Sequence, residues 1–115
     1  MKLRIEDDTL RLRLSEAEVR DFAQTGRVAA TVHFGSGEGQ HLTYALERGS
    51  EPAETLPTET PVQVHFEAGS LTVLVPFGLA KTWVESEQNG FTHDLPLATG
   101  QPLRILVEKD LPCRH

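Results

Sequence analysis

Ile5–Ala23, IEDDTLRLRLSEAEVRDFA, lies over Phe66–Val84, FEAGSLTVLVPFGLAKTWV, at a constant offset of 61 residues. Leu10, Leu12 and Leu14 fall on Leu71, Val73 and Val75, and Val19, Phe22 and Ala23 fall on Ala80, Trp83 and Val84. Literal identity is low, but the pattern of apolar positions is shared. Each stretch alternates apolar and polar residues with the period of a half-buried strand, then switches to helical spacing. Two extra residues shift the middle of the second copy, setting Val28–Phe34 near Phe91–Leu97. The offset then returns, with Leu42, Tyr44, Leu46 and Glu47 on Leu103, Ile105, Val107 and Glu108. A chain that repeats its element order repeats a structural unit.

Each unit reads strand, strand, helix, strand, strand. The first hairpin pairs Lys2–Glu6 with Thr9–Leu14 around Asp7-Asp8, and its twin pairs Val62–Glu67 with Ser70–Val75 around Ala68-Gly69. A two-residue loop fixes the register. It sets Leu3 against Leu12, Ile5 against Leu10, Val64 against Val73 and Phe66 against Leu71, apolar on apolar in every case. Ser15-Glu16-Ala17-Glu18 has the form of a capping box, and Gly26 is placed to end the helix in the left-handed region. The second helix is predicted over roughly Phe77–Glu87, after Pro76. A hairpin follows each helix, with arms Arg27–Phe34 and Gln40–Glu47 in one unit and Phe91–Leu97 and Pro102–Glu108 in the other.

The expected fold is α+β. Two pseudo-symmetric ββαββ repeats give eight antiparallel strands in one curved sheet or barrel, with two helices on its concave face. The expected organisation is one domain over 1–115: repeat one 1–48, linker 49–61, repeat two 62–110 and tail 111–115. The linker region, Arg48–Pro61, holds three prolines and three glutamates and has little to bury,. Four short strands and one helix bury too little to stand alone, so the halves should share one core.

The 115 residues carry 17 acids and 11 bases, a formal charge of −6. That balance argues against a nucleic-acid binder, which needs a basic surface. No apolar run approaches the roughly 20 residues of a membrane span. The single cysteine, Cys113, forbids an internal disulfide and points to a reducing, cytoplasmic setting,.

Candidate chemistry is sparse. Gly35-Ser36-Gly37-Glu38-Gly39 lies between two strands. A phosphate loop instead leads into a helix N-terminus, so this segment reads as a hairpin tip. His33, His41 and His65 have solvent-facing parity, and His93 shares the parity of Phe91 and Leu95. None of the four has the local spacing of a metal site, and Cys113-Arg114-His115 supplies two ligands where zinc needs about four. No metal, cofactor or catalytic residue is expected. The specific polar feature is cationic: Lys2, Arg4, Arg11 and Arg13 share the outward face of the first hairpin, with Arg4 opposite Arg11 and Lys2 opposite Arg13. They form a candidate patch for an anion or an acidic partner, unless acidic neighbours such as Glu47 or Glu6 offset them. Leu74 and Leu106 have outward parity and form a candidate apolar contact patch.

Three stretches, LRIEDDTLRLRLSEAEV (3–19), LTYALE (42–47) and LRILVEKDLPC (103–113), resemble an uncharacterised bacterial family of small proteins built on a domain of unknown function. The resemblance covers most of the chain and implies a bacterial cytoplasmic protein with no activity to carry over. The functional expectation is a non-enzymatic binding or accessory module acting through a sheet face on a protein partner, or a homodimer. The alternatives are a small-molecule enzyme, with a site between the halves near His93 and Trp83, and a structural homodimer subunit.

Overall fold

The computed structural model of the chain describes residues 1–49, 62–98 and 100–110. The expected solvated linker falls almost wholly outside them, as does the tail. The elements run β1 (Lys2–Glu6), β2 (Thr9–Ser15), α1 (Glu16–Thr25), β3 (Arg27–His33), β4 (His41–Arg48), β5 (Gln63–Glu67), β6 (Ser70–Val75), α2 (Phe77–Glu85), β7 (Gly90–Leu95) and β8 (Leu103–Asp110).

The α+β class holds, but the eight strands form neither one curved sheet nor a barrel. They make two four-stranded sheets, ordered β1-β2-β8-β7 and β3-β4-β6-β5. Nor are all pairs antiparallel: β2 runs parallel to β8, and β4 runs parallel to β6. The reason lies in the helices. A helix between β2 and β3 carries the chain away from its own hairpin, so β2 finds its second neighbour far along the sequence. Local alternation specifies a hairpin and cannot specify that distant neighbour.

The hairpins keep the register their loops impose. Leu3 faces Leu12 and Ile5 faces Leu10, while Val64 faces Val73 and Phe66 faces Leu71. Asp7 and Ala68 each take φ near +50°, and Gly69 takes +77°. Such left-handed values match the twist of a two-residue hairpin. Ser15 caps α1 as expected: its hydroxyl accepts from the Glu18 amide, and the Glu18 carboxylate accepts from the Ser15 amide. Gly26 ends the helix at φ +81°. The second helix stops at Glu85, two residues before the expected end. Ser86 turns extended there, and its carbonyl accepts from Lys109 Nζ at 2.8 Å.

One apolar core joins both sheets and both helices. Leu12, Leu14, Ile105 and Val107 enter it from the first sheet, and Leu46, Val73 and Val75 from the second. Phe22 and Trp83 are fully buried and meet edge to face, with centroids 6.0 Å apart. Trp83 meets Phe91 in the same way at 5.7 Å. Its indole N–H donates to the Asn89 carbonyl at 3.1 Å, so the polar edge is satisfied. The expectation of helices on one concave face is corrected too: α1 contacts β2 and β8 of one sheet, β3 and β4 of the other, and α2.

Candidate functional site

The first sheet sets its charges on one face. The hairpin register pairs Lys2 with Arg13 and Arg4 with Arg11. The parallel neighbour β8 then places Leu106 beside Arg11 and Glu108 beside Arg13, and β7 adds Asp94 opposite Arg104. Lys2, Arg4, Arg11, Arg13 and Arg104 thus share the outward face with Glu6, Asp94, Glu108 and Asp110. Five cations against four carboxylates make this face near neutral in a chain of charge −6.

Each of the four candidate cations has a carboxylate in reach. Arg11 donates twice to Glu108, at 2.5 Å from Nε and 3.1 Å from Nη2. Arg13 stands 3.8 Å from the same carboxylate. Lys2 pairs with Asp110 at 2.9 Å and Arg4 with Glu6 at 3.2 Å. The Arg11 guanidinium holds the Glu108 carboxyl below the usual carboxylate range, and the Lys2 ammonium does the same to Asp110. Glu6 acts as expected, whereas Glu47 serves Arg27 instead, at 3.2 Å. Glu108 and Asp110 were not legible as partners, because they enter through the parallel β2–β8 pairing. Lys2 and Arg4 remain open to solvent, with 74% and 66% of their side chains exposed.

Leu74 and Leu106 are half-buried and lie in different sheets. Leu74 sits between Gln63 and Glu47, and Leu106 between Arg11 and Thr92. They are not neighbours in either ladder.

The larger apolar exposure lies elsewhere. Ile5 is 62% exposed, Phe66 68% and Phe34 71%, with Leu97 and Val32 also exposed. Ile5, Val32, Phe34 and Phe66 have core parity, and Leu97 lies just past the end of β7. They lie at the turn end of each sheet, whereas the helices leave β2 and β6 from the opposite end. The apolar face therefore extends beyond the part that the helices cover. Ile5 and Leu97 share this end of the first sheet; Phe66, Phe34 and Val32 share that of the second. The sequence carried the parity but not the reach of the helices.

Trp83 is fully buried, with its ring packed edge to face against Phe22 and Phe91. His93 is half-buried, and its buried Nε2 is without a hydrogen-bond partner among the described residues. An open depression of about 470 Å³ lies at the end of α1, lined by residues that include Arg27, Glu47, Arg48 and Phe77. There Arg48 stacks over the Phe77 ring at 5.3 Å and donates from Nη1 to the Ala23 carbonyl at 3.1 Å. Among the described residues, no group of three or more His, Cys, Asp or Glu is placed to hold a metal ion. No described helix is long and apolar enough to cross a membrane.

His33 and His41 form a pair that the local spacing did not reveal. They are direct cross-strand partners, with ring centroids 6.2 Å apart. The signal was present in the arms of the hairpin: any antiparallel register that aligns Arg27 with Glu47 also aligns His33 with His41.

Fold and surface together define a small α+β protein of two mixed sheets sharing one core. The chain belongs to DUF7009, a family of unknown function whose model matches residues 1–115. No curated protein and no solved structure matches it.

Proposed function

We propose that the protein is a non-enzymatic binding module that presents the uncovered turn ends of its sheets to a protein partner. The exposure of Ile5, Phe66 and Phe34 on core-parity positions carries this reading. Single exposed apolar residues need no explanation, but here they recur at matched positions, Ile5 with Phe66 and Phe34 with Leu97. Large exposed apolar side chains grouped on a folded surface mark interaction sites.

The same matching supports an architecture of two repeats, 1–48 and 62–110, within one domain. Exchanging β1, β2, β7 and β8 for β5, β6, β3 and β4 turns the strand order of one sheet into that of the other. The registers follow: Leu10 pairs with Ile105 as Leu71 pairs with Tyr44, and Leu12 with Val107 as Val73 pairs with Leu46.

The test is a triple variant, Ile5→Ser, Phe34→Ser and Phe66→Ser. These side chains are exposed, so the melting temperature should change little. Association should fall sharply, as read by sedimentation for a second copy and by affinity capture for another protein. A large loss of stability would show that the three residues belong to the core and would remove this reading.

A second reading places an acidic partner on the outward face of the first sheet, favoured by the exposure of Lys2 and Arg4. Arg11 and Arg13, tied to Glu108, would hold the strand while the two β1 cations make the contact. Salt-sensitive binding of an acidic peptide, lost in Lys2→Glu with Arg4→Glu, supports it; salt-independent binding removes it.

A further inference from the structure

We propose that His33 and His41 form a two-imidazole site on the outward face of the second sheet. It takes one divalent transition-metal ion, Cu(II) more tightly than Zn(II). This site lies at the turn end of that sheet but on the face opposite Phe34 and Phe66, and it does not depend on them.

The ladder supplies the geometry. The Phe34 amide donates to the Gln40 carbonyl at 2.8 Å, and the Arg48 amide to the Gly26 carbonyl at 2.8 Å. These bonds mark the even-numbered β3 positions as hydrogen-bonded pairs. His33 and His41 therefore occupy a non-hydrogen-bonded pair, where the α-carbons approach to about 4.5 Å and side chains come closest. The next such pair on the same face shows the consequence: the hydroxyls of Thr31 and Thr43 stand 3.0 Å apart.

The rings are suited to sharing an ion. Their centroids lie 6.2 Å apart and their planes meet at 49°. With metal–nitrogen bonds of about 2.1 Å, two imidazoles on one ion have centroids roughly 4.5–6.5 Å apart. The observed spacing is within that range before either ring rotates.

Chemistry sets the class of ion. Imidazole suits copper, zinc and nickel, and a site of fixed ligands binds Cu(II) more tightly than Zn(II). Two protein nitrogens leave the remaining positions to water or to a ligand from outside the chain. Holding both histidines on adjacent strands reduces the ordering cost of chelation.

The test is a Cu(II) titration of the full chain carrying Cys113→Ser and His115→Ala, which removes the tail ligands. Calorimetry should give one ion per chain, and electron paramagnetic resonance should show two imidazole nitrogens on the copper. His33→Asn or His41→Asn should each weaken binding by about tenfold or more, whereas His65→Asn should leave it unchanged. In the same tail-substituted protein with His33 and His41 intact, Cu(II) should broaden the amide signals of Val32–Phe34 and Gln40–Leu42 before any others. Binding unaffected by either asparagine variant, a single bound imidazole, or broadening that begins elsewhere would overturn the proposal.

Discussion

Ala68 holds a left-handed backbone, φ +50°, in the turn between β5 and β6. Its counterpart in the first hairpin is Asp7, also at +50°. Aspartate and asparagine tolerate this region, whereas alanine pays roughly 1–2 kcal/mol for the clash of its β-carbon. Ala68→Asn should therefore stabilise the protein by about 1 kcal/mol, read as a higher denaturation midpoint at unchanged slope. A lower midpoint would mean that the turn does not hold the left-handed form. Gly90 makes the opposite case. A β-carbon there would stand 2.6 Å from the Val107 carbonyl oxygen and 2.9 Å from Glu108 Cγ. Gly90→Ala should cost about 1–3 kcal/mol, as overpacking does, and an unchanged midpoint would show that β7 can shift away from β8.

At the scale of the element, β2 carries two cations, Arg11 and Arg13, that face Arg4 and Lys2 across the ladder and are both paired with one carboxylate of β8, Glu108. Reversing both charges, Arg11→Glu with Arg13→Glu, sets two more carboxylates beside Glu108 and should lower stability. A stable double variant would show that the pairing contributes nothing. The pH dependence has a fixed sign. The folded Glu108 carboxyl lies below its ordinary range, chiefly through the Arg11 hydrogen bond. Its stabilisation is therefore full above the unfolded carboxylate range and is lost as pH falls through the depressed folded value. Glu108→Gln should be less stable than wild type near neutral pH, and the gap should close in acid. A gap that persists unchanged to low pH would assign the effect to packing rather than charge. The helices are tied to the core by one aromatic residue each. Phe22→Ala and Trp83→Ala should each destabilise by about 3–5 kcal/mol, a large share of a typical 5–15 kcal/mol. Wild-type midpoints for both in urea would contradict the complete burial of these rings.

The whole molecule depends on two parallel seams, β2 on β8 and β4 on β6, and each joins the two halves. Neither sheet has four strands without both halves. Peptides 1–49 and 62–110, prepared separately, should lack cooperative unfolding, and mixing them should restore it. Cooperative unfolding of either peptide alone as a monomer would show that the seams are dispensable. Exposed apolar residues at the turn ends belong to this scale too, since they arise from where the helices stop covering the sheets rather than from any local pattern.

Hairpins, caps and helix stripes were legible in the residues because each is a short-range decision. Leu10, Leu12 and Leu14 must face one way once Lys2–Glu6 folds back over a two-residue turn, and Ser15 with Glu18 closes a helix start without outside help. The cation quartet followed from the same parity. Its partners did not, because Glu108 and Asp110 lie about a hundred residues along the chain from Arg11 and Lys2 and arrive only through a parallel seam. Alternation says which face of a strand is apolar; it does not say which strand lies beside it. Division into two mixed sheets, enclosure of Trp83 between Phe22 and Phe91, and exposure of Ile5, Phe34 and Phe66 were decided by how the two halves fit together. Hydrophobic burial is non-directional, so many strand orders satisfy one apolar pattern. Only the packing of two helices against both sheets selects among them.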